Sequence, residues 1–301
     1  DRATRMALPP GSVFKAITAA AMVEHATVDP AQPFRCQGYL NDPDRLRCQL
    51  FRQHGIGHGE VTLSDALAQS CNVYFFHYVE QLGAEALLAM ARGFGLSRPT
   101  GIESGEAAGQ LPSAARLQSL EQLRFLSVGQ GEITTTPLQI ARAYAAIANG
   151  GHLVEPRLIL DGKGPASIPA ASLATQAPRI AAVSEASLTQ VRVGLDRVVA
   201  DPLGTGYETV RLPTISISGK TGTAETGPDS PAHAWFAGYV PSKAPRFALV
   251  VVLEHGESGG GAAGPVAKGL VQTLQHLGYL RVEERRLPGG QAVGEVGRHM
   301  P

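Results

Sequence analysis

Two-thirds of the way along the chain the hydrophobic period changes. Before residue 200 apolar residues recur at helical spacing, and after residue 213 polar and apolar residues alternate as in half-buried strands. Helices that dominate the centre, with strands gathered near the C-terminal end, predict an α+β fold: an antiparallel sheet packed against helices. Pro9-Pro10-Gly11 breaks the chain, and Val13, Ile17 and Ala20 then predict a mostly buried helix starting near Ser12. A loop-rich stretch covers 27–62. Short helices follow over 64–69, with Ser64 as cap, and over 73–82, closed by Gly83. Thr136 as cap, Pro137 at the first helical position and Gly150 as stop frame another helix. A Pro/Ala/Gly-rich surface connection is expected over 161–183, and a helix over 187–200. Strands are expected over 214–219, 233–239 and 247–253; the last is apolar throughout and predicts the central position. Short turn-rich gaps between them favour an antiparallel meander. A helix over 265–277 closes the domain, expected to span 1–281, and 282–301 reads as a flexible C-terminal tail.

Composition removes several classes of function. Lys and Arg total 26 and so do Asp and Glu, a balance that argues against a strongly basic face for nucleic acid. With 44% apolar and 17% charged residues, disorder is excluded, and three cysteines in 301 residues exclude a disulfide-rich scaffold. The longest dense apolar run, 247–253, is far short of the ~20 residues that span a bilayer. The first six residues have no apolar signal-peptide core. The chain reads either as a soluble cytoplasmic protein or as a piece of something longer.

Three short patterns carry chemistry. Ser12 and Lys15 stand three residues apart on the first predicted helix, on one face and one turn apart. A serine hydroxyl is a poor nucleophile until a base takes its proton, and a lysine serves as that base only when burial or a nearby cation lowers its pKa. Taken alone, Ser-x-x-Lys also describes a helix start with an exposed lysine. The apolar context favours the functional reading, and none of the other four lysines has a serine three residues before it. Ser70-Cys71-Asn72 lies between two predicted helices. Its serine can relay a proton and its asparagine can hold a substrate amide, although a plain helix-joining turn explains it too. Lys220-Thr221-Gly222-Thr223 follows the alternating strand. A lysine and two hydroxyls can bind a carboxylate there, with Gly222 admitting a substrate backbone, or the segment is simply a strand end. Each pattern occurs once, in the order established for serine β-lactamases and penicillin-binding proteins.

On these residues the chain resembles the transpeptidase domain of a class B penicillin-binding protein. The segments 10–15, 70–75 and 218–225 match that family, as do 129–144 and 233–239; the last, with Glu254 and its Gly-rich turn, is most similar to the elongation-type members that build the lateral wall. The resemblance implies a β-lactamase/transpeptidase-like fold with helices on both sides of the sheet. It also implies a peptidoglycan D,D-transpeptidase working through a serine acyl-enzyme and inhibited by β-lactams. Ser12 would attack the penultimate D-Ala carbonyl of a stem peptide, Lys15 would take its proton and Ser70 would pass it on. Asn72 would hold the substrate amide, and Lys220, Thr221 and Thr223 would grip the terminal carboxylate. Backbone amides of Ser12 and Thr223 would form the oxyanion hole. No Glu-x-x-Leu-Asn element of the kind that activates a deacylating water is present. A D,D-carboxypeptidase, a serine β-lactamase and a β-lactam sensor remain the rival readings. The implied location is periplasmic, on the outer face of the inner membrane, with a membrane glycosyltransferase of the elongation machinery as partner. Family members place an anchor, a pedestal and the first sheet strands before the nucleophile, so N-terminal strands are expected to be missing here.

Cys36, Cys48, His54 and His58 fall in the loop-rich stretch. Catalysis needs no cofactor, but elongation-type relatives carry a zinc in this region, with a histidine at a similar distance before Ser-x-Asn. The resemblance makes Cys36, Cys48 and His54 the candidate ligands of a structural zinc. A Cys36–Cys48 disulfide, natural in the periplasm, and free thiols are the alternatives. Cys71 is expected to be a small buried filler, and His233 a structural residue or part of the cleft wall.

Overall fold

The computed structural model describes residues 1–158, 177–227 and 230–281. Most of the surface connection expected over 161–183, and the tail from 282, lie outside the described residues. In chain order the elements are α1 (Arg2–Arg5), a 3₁₀ turn (Gly11–Phe14), α2 (Lys15–Glu24), β1 (Phe34–Cys36) and α3 (Gln49–His54). They continue with β2 (Gly59–Val61), α4 (Leu63–Ala68), α5 (Asn72–Leu82), α6 (Ala84–Gly93), α7 (Leu120–Ser127) and α8 (Pro137–Ala148). After these come α9 (Glu185–Ala200), α10 (Tyr207–Val210), β3 (Ser218–Ala224), β4 (His233–Val240) and β5 (Phe247–Leu253). A π-turn (Gly259–Ala263) leads into α11 (Gly264–His276).

The three long strands form one antiparallel sheet in the order β3-β4-β5. The central strand is β4, which is buried along its whole length, and not β5 as its apolar run predicts. Residues on β5 alternate little because both faces pack against helical cores, Val250 and Val252 on one and Leu249, Val251 and Leu253 on the other, while its outer edge pairs with nothing among the described residues. The two-residue period of β4 divides the core. Trp235, Ala237 and Tyr239 join the large helical core with α2, α5 and α8, whereas Ala234, Phe236 and Val240 face the second core under α11. The sheet thus has helices on both faces, as the expected α+β fold requires.

Helix starts follow side-chain chemistry. Thr136 and Gln139 close a capping box at α8 with Pro137 in the first turn, and Ser184 caps α9. At α4 the cap is Thr62, bonded reciprocally with Asp65, and not Ser64. The helix expected from Ser12 opens as a 3₁₀ turn and becomes α-helical only at Lys15. The strand expected over 214–219 starts at Ser218 instead. Ile215 and Ile217 alternate because they enter the second core before the ladder begins, so Lys220-Thr221-Gly222 lies mid-strand and not at a strand end.

Candidate active site

The nucleophile turn is held from two sides. The Gly11 amide donates to the Gly129 carbonyl at 2.9 Å, and the buried Tyr144 hydroxyl donates to the Val13 carbonyl at 2.9 Å. A Cβ at Gly222 would lie 3.0 Å from the Val13 side chain, so the glycine lets β3 press directly against this turn. Ser12 is thereby presented to a cleft of about 590 Å³ that is also lined by Ser70, Asn72, Thr221 and Thr223.

One turn on, Lys15 is fully buried. Its ammonium donates to the Ser70 carbonyl at 2.8 Å, the Ser70 hydroxyl at 3.1 Å and the Asn72 side-chain oxygen at 2.6 Å. Burial lowers its pKa to about 8, against the opposing pull of Cys48 and Cys71. Ser12 makes no side-chain hydrogen bond among the described residues. Three donated bonds describe the protonated amine; loss of one proton turns the same group into a base beside the Ser70 hydroxyl. Ser70 has φ +57°, a left-handed conformation unusual for a side-chain-bearing residue. That conformation turns both its carbonyl and its hydroxyl toward Lys15, and such local strain gathers where function needs it. The Asn72 amide donates to the Arg47 carbonyl at 3.2 Å, which fixes which way its oxygen points.

On β3, Lys220 is fully buried as well, its ammonium on the Thr221 carbonyl at 3.1 Å. Burial, with Lys15 nearby, holds its pKa well below the ordinary lysine range. Thr223 accepts from the Gly259 amide at 3.3 Å through its hydroxyl and from the Gln130 side chain at 3.3 Å through its carbonyl. Across the mouth, Arg52 of α3 pairs with Glu225, just beyond β3, at 2.7 Å. The three sequence patterns therefore meet in one place. Thr205 joins them unannounced; Gln130 and Tyr144 lie within the 129–144 segment of the resemblance, and their bonds to the distant Thr223 and Val13 carbonyls left no local pattern.

The metal candidates are regrouped. Cys36, Cys48, Cys71 and His58 place one ligand atom each within 4.8 Å of one another, and His54 is not among them. His54 ends α3 on its exposed side. The chain then turns back, and β2 pairs with β1 with Gly59 opposite Cys36, which returns His58 to the sulfur. Gly57 permits that return, because a Cβ there would lie 2.3 Å from the Cys36 carbonyl oxygen. Cys36 and Cys48 are not disulfide-bonded: their sulfurs are 3.7 Å apart, and all three cysteines are free. Cys71 is a member of the cluster and not a filler; its sulfur is 3.7 Å from that of Cys48, and His58 Nδ1 is 3.5 Å from the sulfur of Cys36. Zinc with sulfur at ~2.3 Å in a tetrahedron puts neighbouring sulfurs ~3.8 Å apart, so this donor set fits such an ion. Hydrogen bonds with Cys48 and Cys71 hold Cys36 well below the ordinary thiol range. Burial opposes the His58 cation, but its Cys36 and Cys48 partners outweigh that and raise its pKa to about 9. His233 is buried at the end of β4, accepting from the His255 amide at 3.2 Å, a structural placement.

A buried lysine bonded to a loop serine, one helical turn from a serine open to the cleft and across from a hydroxyl-bearing strand, is an arrangement suited to acyl transfer. The profile of the penicillin binding protein transpeptidase domain matches residues 1–272, and the chain belongs to that family. It is similar to the peptidoglycan D,D-transpeptidase PbpA of Mycobacterium tuberculosis, 33% identical over 296 residues, covering 90% of this chain and 56% of the relative. Among solved structures, Pseudomonas aeruginosa PBP2 in complex with WCK 5153 superposes with a TM-score of 0.77 at 31% identity, over 90% of this chain and 62% of that one. PBP2 of Helicobacter pylori in its complex with MreC gives a TM-score of 0.80 at 25% identity, over 93% and 51%. The chain spans about half the length of the curated relatives it matches. No helix among the described residues is long and apolar enough to cross a membrane.

Proposed function

We propose that this chain is the catalytic domain of a peptidoglycan D,D-transpeptidase that works through an acyl-enzyme on Ser12. The observation that carries the reading is the convergence of Lys15 with Ser70 and Asn72, beside Ser12 and across the cleft from Thr221 and Thr223. Neutral Lys15 takes the Ser12 proton as Oγ bonds to the penultimate D-Ala carbonyl. The backbone amides of Ser12 and Thr223 hold the oxyanion. The C–N bond then breaks, and Ser70 relays the proton to the departing D-Ala amine. An amine from a neighbouring stem peptide attacks the ester, restoring Ser12 and leaving the cross-link. A β-lactam enters the same first step and stays bound. Lys220, Thr221 and Thr223 receive the substrate carboxylate, with Lys220 acting from beneath the surface.

The test is labelling with a fluorescent penicillin. Stable labelling that Ser12→Ala abolishes is expected, followed by cross-linking of stem-peptide substrates. Rapid loss of label would favour a β-lactamase, and stable label without cross-linking would favour a sensor. The reading places the domain outside the cytoplasmic membrane, working beside a membrane glycosyltransferase, which co-purification from membranes would test. Cys36, Cys48, Cys71 and His58 would hold a structural zinc. That ion would cross-link the hairpin of β1 and β2 to the loop bearing Ser70, and one zinc per chain by metal analysis is expected.

A further inference from the structure

Among the cleft-lining hydroxyls outside the three patterns, Thr205 is hydrogen-bonded to one inside them. Thr205, in the turn between α9 and α10, has its hydroxyl oxygen 2.6 Å from that of Thr221. We propose that Thr205 is a positioning residue of the carboxylate subsite: it sets the Thr221 hydroxyl so that Thr221 donates its proton to the carboxylate of a D,D-peptide or β-lactam. This rests on the transpeptidase reading above.

The geometry supports it in three ways. Thr221 has no other side-chain partner among the described residues, so Thr205 alone decides where that hydroxyl points. A hydroxyl has one proton and two lone pairs. If Thr205 donates to Thr221, the Thr221 proton is free for the ligand, and each bond in the chain strengthens the next. The turn that carries Thr205 is also built. Its amide donates to the Ala68 carbonyl at the end of α4 at 3.0 Å, and the Gly206 amide returns to Val198 at 2.9 Å. Beneath it, Arg197 ties α9 to α4 through Asp65 at 2.7 Å and Ser64 at 2.8 Å, and pairs with Asp201 at the end of its own helix at 2.6 Å. Finally, Thr205 lines the same cleft as Ser12, Ser70 and Thr221. The Ser70 loop and the carboxylate strand are thus coupled through a single turn.

The experiment compares a penicillin bearing its free carboxylate with its methyl ester, measuring acylation rate constants on the full chain. Thr205→Val keeps the shape and removes the hydroxyl; Thr205→Ser keeps the hydroxyl. With Thr205→Val, acylation by the acid is expected to fall about tenfold, the size of one hydrogen bond toward a charged ligand, while the ester changes less than about twofold. Thr205→Ser is expected to restore the acid. Equal loss for acid and ester, no loss, or a Ser variant as slow as Val overturns the proposal. The acid-to-ester ratio is internal to each variant, so partial unfolding does not mimic the result. A parent chain that takes no label at Ser12 overturns both readings. A labelled parent whose ratio survives Thr205→Val overturns this one alone.

Discussion

Lys15 donates three hydrogen bonds while the Ser12 side chain donates none among the described residues, so the resting site holds its base in the wrong protonation state for attack. With a pKa of about 8, only a minority of chains carry the neutral amine at pH 7. Acylation by penicillin should therefore rise with pH, about tenfold per unit well below 8, and level off above it. The groups whose charge acts on Lys15 are Cys48, Cys71 and Lys220. A rate that stays flat from pH 6 to 9 would remove Lys15 as the base. Tyr144→Phe tests the support of the nucleophile turn. It leaves the buried Val13 carbonyl without its donor, so a loss of about 1–2 kcal/mol in urea unfolding is expected, with slower acylation. At this scale the sequence was informative where chemistry demands a residue type at a fixed spacing, as for Ser12, Lys15, Ser70, Asn72 and Lys220. It marked Tyr144 only as the end of a family segment, without its partner 131 residues away, and was silent on Thr205, whose partner lies 16 residues on.

Elements with strong local signals were legible, and those that depend on distant partners were not. The cap at Thr136 and the stripe of α8 locate that helix to the residue, and Thr136→Ala is expected to cost about 1 kcal/mol by chemical denaturation. The strands β1 and β2 are three residues each and exist only because they pair across 22 intervening residues. Without that pairing His54 and His58 are indistinguishable in sequence; with it, only His58 reaches the sulfurs. Gly57→Ala should separate the hairpin from the cluster, raising the reactivity of the buried thiols toward a thiol reagent relative to the parent. Unchanged thiol kinetics would show that the hairpin tolerates the methyl group. The misplacement of β5 has a similar cause. A continuous apolar run identifies a strand but not its rank in the sheet, because helix packing and strand pairing bury side chains alike.

Across the whole molecule the cleft separates α3, tethered through Cys48, from β3, and the pair of Arg52 and Glu225 joins the two walls at the mouth. Both partners are exposed, so Arg52→Gln should change stability by less than about 1 kcal/mol. A larger loss on thermal unfolding would mean that the two walls depend on this ion pair to stay in register. The deeper cost lies below the cleft floor. Lys15 and Lys220 occupy the interior without a carboxylate paired to either among the described residues, a placement that disfavours the folded state while it readies the site. Lys220→Met should therefore melt at a higher temperature than the parent while acylating at least about a hundredfold more slowly. Selection for heat resistance alone would drift toward such inert variants. Only selection for the proposed acyl transfer would keep the lysine, which makes the gain in melting temperature set against the loss in acylation rate a measure of what robustness is given up for activity.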